Sequence, residues 1–271
     1  MQPTHWTRRG AVRGGATLLA ATALGLAALL PMHPARAAEG AECPPLPDPA
    51  SFVAAIDNQY FPLVPGTTYR YEENDEEETT LNVVEVTHET RVVMGVTTTV
   101  VLDTAMQFDG ELIEQTWDWY AQDAEGNVWY FGEESRDYDD GEFAGTEGSW
   151  EAGVDGAQPG IIMKGHPQVG DTYLQECAPG EAEDTAAVLA FDTFVTSPYA
   201  AYTNALLTAE WNPLEPDSLE HKYFVPGVGL VRAETVEDDP TEEVLVELTR
   251  PNPAARARGL PFVSFDLPRQ Q

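Results

Sequence analysis

Acidic residues beside aromatic ones give this sequence its first possibility for catalysis. Asp118 stands between two tryptophans, and Glu151 directly follows a third. Glycoside hydrolysis uses a pair of carboxyl groups, one of which an apolar neighbour keeps protonated. Asp118 and Glu151 are therefore candidate catalytic acids, and His166, in a glycine- and proline-rich stretch, is a third candidate. In a chain with 46 acids, however, some must adjoin tryptophan by chance.

A second group of acids has the composition of a calcium site. Asp137, Asp139 and Asp140 precede Gly141 in a short turn, and Asp155 lies in a later glycine-rich stretch. Calcium takes roughly six to eight oxygen ligands, and a glycine turn lets the backbone fold around the ion. The spacing does not complete an EF-hand string. A solvated hairpin turn has the same composition, so calcium is a possible cofactor and the turn is the alternative.

A third possibility is a ligand cavity lined by aromatic side chains. The concave face of a half-closed barrel offers such a site. The alternative is that the same aromatic residues form the core of the sheet, and the two interpretations are compatible. The predicted lining residues are Trp117, Trp119, Trp129, Phe131 and Trp150.

All of these candidates except Glu151, Asp155 and His166 lie on a run of predicted β-strands between Glu111 and Trp150. Asp109-Gly110, the stretch 123–127 and Asp140-Gly141 supply residues that accept positive φ, so the chain reverses there. Strand alternation places Trp117 and Trp119 on one face and Thr116, Asp118 and Tyr120 on the other.

The same pattern continues along the chain, with turns at intervals of about ten residues. The β-branched run Thr90–Phe108 contains Gly95, a predicted bulge or turn, and Ala152–Gly170 is predicted to be an ordered loop. The sequence therefore predicts an all-β protein with few short helices. Its antiparallel meander should form one open or half-closed barrel or sandwich.

The N-terminal residues have the features of an export signal. Residues 1–37 carry a basic start, an Ala/Leu-rich stretch and a small-x-small motif before Ala38. Arg8-Arg9 also resembles the twin-arginine export motif, and an ordinary secretory signal is the alternative. We predict an exported protein of the periplasm or extracellular space. Its predicted parts are the signal peptide, an extended leader (38–58), one β domain (59–250) and a tail (251–271).

The charge of the chain excludes one class of partner. The formal net charge is −32, whereas a nucleic-acid phosphate backbone requires a basic surface. After the signal, no segment has the apolar length of a membrane span, so we expect no stable membrane insertion. The acids could form a solvated surface, collect divalent cations or attract a cationic ligand.

Cysteine usage agrees with export. Cys43 and Cys177 follow the signal, and in an exported protein the simplest expectation is one disulfide between them. No histidine lies close to either cysteine in sequence, so a zinc site is not favoured.

Several motifs resemble an uncharacterised family of exported bacterial β-proteins. They are Tyr60–Tyr69 (YFPLVPGTTY), Ser197–Tyr202 (SPYAAY) and Lys222–Val231 (KYFVPGVGLV). Ala200 replaces the glycine of that family's Pro-Tyr-Gly motif. The resemblance implies the half-closed barrel of lipoprotein-carrier-like periplasmic proteins and transfers no catalytic residue.

The leading functional hypothesis is a non-catalytic exported β-protein. It would bind an apolar or amphipathic small ligand, or a protein of the cell envelope. The alternatives are a calcium-binding envelope protein and a secreted hydrolase that uses carboxylates beside an aromatic face.

Overall fold

A computed structural model describes residues 43–74, 78–236 and 241–251. The predicted signal peptide, residues 38–42 of the leader and residues 252–271 of the tail lie outside these ranges. The described residues form one 3-10 helix (Pro49–Ser51) and sixteen strands. The strands are β1 (Phe52–Val53), β2 (Thr68–Asn74), β3 (Thr79–Val93), β4 (Val96–Gln107), β5 (Leu112–Asp123), β6 (Val128–Asp139), β7 (Glu142–Gly145), β8 (Trp150–Glu151), β9 (Gln158–Met163), β10 (Thr172–Leu174), β11 (Glu176–Cys177), β12 (Thr185–Thr196), β13 (Ala201–Asn212), β14 (Glu215–Val225), β15 (Gly229–Thr235) and β16 (Glu242–Thr249).

The strands form one antiparallel sheet that curls into a nearly closed barrel with an unsealed seam. The strand order is β10-β12-β13-β14-β15-β16-β2-β3-β4-β5-β6-β9-β11. The first long strand therefore lies beside the last one, with Tyr71 opposite Leu245. The predicted all-β fold class is confirmed. Across the three described ranges, no helix has the length and apolar character needed to cross a membrane.

A single extended segment, 172–177, crosses the seam. Its first half is β10, which pairs with β12, and its second half is β11, which pairs with β9. Between them, the Gln175 side chain donates a hydrogen bond to the Ile162 carbonyl of β9 (3.3 Å). A Cβ built at Gly160 would lie 2.2 Å from the Gln175 carbonyl oxygen, so this close approach requires glycine. The segment thus links the two edges that the sheet leaves apart.

The N-terminal segment is fixed to this seam and to the outer face of the sheet. Cys43 forms a disulfide with Cys177 of β11, as predicted. Beyond the 3-10 helix, Phe52 packs its ring against Trp129 and Phe131 with centroid distances of 6.3 and 5.7 Å. The described part of the predicted extended leader is therefore partly ordered into a helix and β1, which pairs with β5.

Most turns lie where the sequence predicts them. Asp109-Gly110 joins β4 to β5, and Asp140-Gly141 joins β6 to β7, with positive φ at both glycines and at Asp140. Gly95 is a turn between β3 and β4, where φ is +82°. The prediction that Ala152–Gly170 is a loop throughout was wrong, because β9 lies within it and pairs with β6. Pro159 and Gly160 lie within that short strand, and the other glycines and Pro167 lie in the connections on either side of it.

The disulfide gives the first testable prediction. Its cysteines are 134 residues apart in sequence, so the bond restricts a long loop of the unfolded chain. Replacing both cysteines by serine should lower the free energy of unfolding by about 3 kcal/mol. This corresponds to a fall in Tm of roughly 10 °C in thermal denaturation. Reductant should lower the Tm of the native protein only, and an equal effect on the double-serine variant would contradict this assignment.

Candidate functional site

A cavity of about 80 Å³ lies inside the barrel. Its lining comes from strands on all sides of the sheet and from the seam segment, which places the cavity in the interior. One part of the wall is aromatic and aliphatic, and another carries carboxyl, amide and amine groups. The lining residues are Phe61, Pro62, Leu63, Tyr69, Tyr71, Val84, Tyr120, Tyr130, Ile162, Gln175, Glu176, Asp184, Glu210, Lys222, Phe224, Gly229 and Leu230.

Stacked rings form the apolar part of the wall. Tyr120 and Tyr130 are opposite one another on β5 and β6, and their rings stack at 4.6 Å. Phe61 meets Tyr120 edge-on at 5.5 Å, and Trp150, which does not itself line the cavity, meets Tyr130 edge-on at 5.4 Å. Such offset and edge-to-face pairs stabilise an aromatic cluster beyond the area it buries. Phe61 precedes β2, so the chain N-terminal to the barrel contributes to the wall.

A buried lysine between two glutamates forms the polar part. Lys222 Nζ lies 2.9 Å from Glu210 Oε2 and 3.2 Å from Glu220 Oε2. Thr208 donates its hydroxyl to the other oxygen of Glu210 at 2.8 Å. Burial lowers the pKa of Lys222, but the attraction of the two carboxylates outweighs this and the net pKa is raised. Lys222 therefore carries its charge inside the barrel.

Burial has the opposite effect on Glu220. It raises the pKa of this carboxyl from 4.5 to about 7; Lys222 opposes the rise, and the charges of Glu210 and Asp184 reinforce it. Glu220 therefore changes charge near neutral pH, although its lysine partner does not.

A tyrosine joins two further acids on the inner face. The Tyr130 hydroxyl contacts Asp118 Oδ1 at 2.6 Å and also contacts Glu133 Oε2. Burial and the charges of both acids raise the pKa of Tyr130 well above its usual value, so the phenol keeps its hydrogen. A hydroxyl has one hydrogen to donate, so the two carboxyl groups share the Tyr130 phenol.

A third polar group, on β3, β4 and β16, is centred on Asn82. Its side-chain amide donates to Glu243 Oε1 at 3.3 Å and to Asp103 Oδ2 at 3.5 Å. Asn82 Oδ1 and Glu243 Oε2 are both buried and have no hydrogen-bond partner among the described residues. Burial, reinforced by the charges of Glu73 and Asp103, raises the pKa of Glu243 well above its usual value.

The barrel interior is therefore rich in acids. Lys222 is the one buried lysine or arginine in the described part of the chain. The buried acids that share the inner face with it, or line its cavity, are Asp103, Asp118, Glu133, Glu176, Glu210, Glu220 and Glu243. Buried charges of one sign are unfavourable unless protons or counterions neutralise them.

The aromatic residues predicted to line a ligand site lie elsewhere in the core. Trp119, Trp129, Phe131 and Trp150 are buried and Trp117 is partly buried, and none of the five contributes to the wall of the interior cavity. Trp117 and Trp119 alternate with Asp118 and Tyr120, so they lie on the outer face. There the guanidinium groups of Arg136 and Arg91 cover them at 4.7 and 3.9 Å, respectively. A ligand-binding role for these five residues stays a prediction.

The three candidate catalytic residues do not converge. Asp118 faces the interior, whereas Glu151 pairs at 2.6 Å with Arg91, which stacks on the outer face. His166 is exposed in the turn after β9. Asp118 and Glu151 thus lie on opposite faces of the sheet, and the buried acid beside Asp118 is Glu133.

The predicted calcium ligands are divided between two turns. Asp139 and Asp140 border an open groove of about 820 Å³ at the end of the β6–β7 hairpin. Asp137 pairs with Gly145 on the same hairpin, and Asp155 is exposed in the turn after β8. Across the described ranges, no group of three or more His, Cys, Asp or Glu side chains could hold a metal ion. Calcium binding stays a prediction.

Sequence reasoning missed the acids and the lysine around the cavity. The available signal was alternation in β13 and β14, where Thr208 and Glu210, and then Glu220 and Lys222, recur at every second position. Lys222 is also one of only two lysines in the chain. A charged stripe at strand spacing is typical of a solvated face, and only the closure of the sheet turns this stripe inward.

Comparisons with known proteins assign no family. No family model matches the chain, and no curated protein matches it. Two solved structures are similar: a candidate exported protein with a YmcC-like fold from Bacteroides fragilis, and a candidate lipoprotein from Parabacteroides distasonis. Each is 13% identical to this chain and covers 71% of it. The match spans 100% of the first structure and 99% of the second, and the TM-scores are 0.40 and 0.41, respectively. Similarity at this level carries no argument about function.

The titration of Glu220 predicts a pH-dependent stability. The folded protein holds the Glu220 proton more tightly than the unfolded chain does. The contribution of this proton to the free energy of unfolding is therefore complete below pH 4.5 and is lost as pH rises through about 7. Glu220→Gln mimics the protonated form. At pH 8 this substitution should stabilise the folded protein by roughly 3 kcal/mol, which corresponds to a rise in Tm of about 8 °C. At pH 5 the Tm should be nearly unchanged.

Thermal denaturation at the two pH values tests this prediction. Glu85→Gln, on the exposed face of β3, is the control and should shift the Tm equally at both. A Glu220→Gln variant that is less stable than the native protein at pH 8 would refute the prediction.

The lysine itself gives a second prediction. Lys222→Met leaves two buried glutamates without their cation, which should cost about 3–5 kcal/mol at pH 8 in chemical denaturation. Adding Glu210→Gln should recover part of that loss. Lys164→Met is the matched control, because Lys164 pairs with Asp171 at 2.9 Å nearer the surface, where a pair contributes ~1 kcal/mol or less. Equal losses for the two lysine variants would contradict a special role for Lys222.

Proposed function

We propose that this protein is exported and non-catalytic, and that it binds a small amphipathic ligand in the interior cavity of its barrel. The observation that supports this most directly is the divided wall of the cavity. Phe61, Phe224 and Leu230 offer apolar contact, whereas Glu176 and Glu210 offer hydrogen-bond acceptors. Ligand sites typically combine such an apolar wall with a few polar groups that fix the orientation of the ligand.

Export is supported by the sequence and by the disulfide. Residues 1–37 have the composition of a signal peptide, and a disulfide persists in an oxidising compartment. Export places the cavity in the periplasm or outside the cell, where the ligand would be met.

The volume of the cavity limits the ligand. One water molecule occupies about 30 Å³ in the liquid, so about 80 Å³ accommodates roughly three groups of that size. A larger ligand would have to displace Phe61, Pro62 and Leu63, which line the cavity from the chain before β2. The ligand is therefore small, or it enters with one end only.

Filling the cavity should abolish binding without unfolding the protein. Val84 lines the cavity, and the adjacent Val83 points to the opposite face of β3. Val84→Phe should reduce the affinity for a small amphipath such as 1-butanol at least tenfold, measured by calorimetric titration, because its ring occupies the ligand's volume. Val83→Phe is the matched control and should retain binding. Circular dichroism should show native strand content in both variants.

If Val84→Phe binds 1-butanol as the native protein does, the interior cavity is not the binding site. If the native protein shows no saturable binding of any small amphipath, the proposed function is refuted.

A further inference from the structure

Residues 56–63, which we call the plug, cover one end of the barrel. The plug follows β1 and precedes β2, and its β-bridge, between Ile56 and Leu63, is internal to it. Phe61 and Leu63 line the cavity, whereas Asp57 is exposed. A single layer of chain therefore separates the cavity from solvent at this end.

A buried asparagine and a buried glutamine hold the plug in place, and we call these two residues the latch. Gln122 Oε1 accepts hydrogen bonds from the backbone N–H groups of Asp57 (2.9 Å) and Asn58 (2.8 Å). The Gln122 amide donates in turn to Asp57 Oδ1 at 2.8 Å. Asn58 donates its amide hydrogens to the carbonyl oxygens of Gly126 (2.8 Å) and Lys164 (3.1 Å). These side-chain bonds tie the plug to the sheet without a β-ladder.

The rest of the cavity wall is held more firmly. Most of its side chains are buried, so a ligand can enter only if part of the wall moves. The long strands are hydrogen-bonded to a neighbour on each side, and separating two of them leaves a row of backbone groups unpaired. The seam segment 172–177 also lines the cavity, but it has ladder bonds to β12 and β9 and the Cys43–Cys177 disulfide. Displacement of the plug, in contrast, leaves the sheet intact.

We propose that the plug is the entrance to the interior cavity and that the latch sets how often it opens. This inference rests on the proposed function and adds the route by which the ligand enters and leaves. Both ends of the plug are fixed, because β1 pairs with β5 on one side and the Val86 N–H donates to the Thr67 carbonyl (2.9 Å) on the other. Opening is therefore a local displacement that leaves the barrel closed.

The contacts of the closed plug depend on one another. Asn58 Oδ1 accepts from the backbone N–H groups of Tyr60 (2.8 Å) and Phe61 (3.1 Å), so the latch also shapes the part of the plug that faces the cavity. The Tyr69 hydroxyl donates to the Pro62 carbonyl at 2.9 Å, and the Gly227 N–H donates to the carbonyl of the plug at Gln59. These bonds break together when the plug is displaced, so it should open as one unit.

Hydrogen exchange in the full exported chain tests whether the plug opens by itself. The amides of Phe61, Leu63 and Gly227 should exchange at a common rate that exceeds the rate in the β13–β14 ladder. Gln122→Ala should raise this common rate about tenfold, because opening no longer breaks the bonds of Gln122. Gln122→Glu keeps the acceptor and loses the donor to Asp57, so it should give a smaller rise.

The matched control is Gln115→Ala, on the same strand, which should leave the rate unchanged. Plug amides that exchange only together with the β13–β14 ladder, in the native protein and in both Gln122 variants, would overturn the inference.

Exchange of 1-butanol between cavity and solvent, measured by NMR saturation transfer, tests whether the plug is the route. Gln122→Ala should speed entry and release about tenfold and change the Kd by less than about twofold, because the open state stays rare and the closed wall keeps its lining. A residue that only supported the wall would change the Kd instead. The double variant Cys43→Ser/Cys177→Ser loosens the seam and should leave both rates unchanged.

The outcomes separate the two proposals. Faster exchange in the double-serine variant, with unchanged rates in Gln122→Ala, would make the seam the entrance and overturn the inference, although binding in the cavity would stand. If the native protein binds no 1-butanol or other small amphipath saturably, the proposed function fails and the inference fails with it.

Discussion

Closure of one sheet upon itself is the constraint on which the rest of the structure depends. The two edges of the sheet do not pair directly; the segment 172–177 joins them, with β10 on one edge and β11 on the other. The Cys43–Cys177 disulfide ties the N-terminal segment to the same place. Without closure, the inner face would be an ordinary solvated sheet surface, and its glutamates would need no partners.

Once the sheet is closed, the charged side chains on its inner face must be neutralised by one another or by protons. Lys222 neutralises part of the acid, a shared phenol serves Asp118 and Glu133, and Glu220 and Glu243 hold protons more tightly than free carboxyls do. The stability of the folded protein therefore depends on how these buried charges are neutralised.

The sequence predicts the strands well and the faces poorly. β-branched alternation and the Asp-Gly turns predict hairpins such as β4–β5, because those signals act between near neighbours. On β5, however, tryptophans alternate with Asp118 and Tyr120, and hydrophobicity alone favours the tryptophan face as the interior. The structure has the reverse, since Arg91, Arg136 and the Phe52 segment cover the outer aromatic residues. These coverings come from distant parts of the chain. No local pattern predicts these contacts. For the same reason, the sequence does not predict that the face carrying Lys222 and its glutamates is buried.

The pairing of β2 with β16 has a consequence for how the chain reaches this state. Strands β2–β6 and β12–β16 are two local meanders, and each can form as soon as it is synthesised. The edge of β2, by contrast, can pair only after β16, the last strand of the sheet, has been synthesised. During synthesis from the N-terminus this edge therefore stays unpaired. That edge carries Glu72 and Glu73, and its eventual partner carries Glu242, Glu243 and Glu247. Charges of one sign on an unpaired strand edge disfavour its pairing with the same edge of a second molecule.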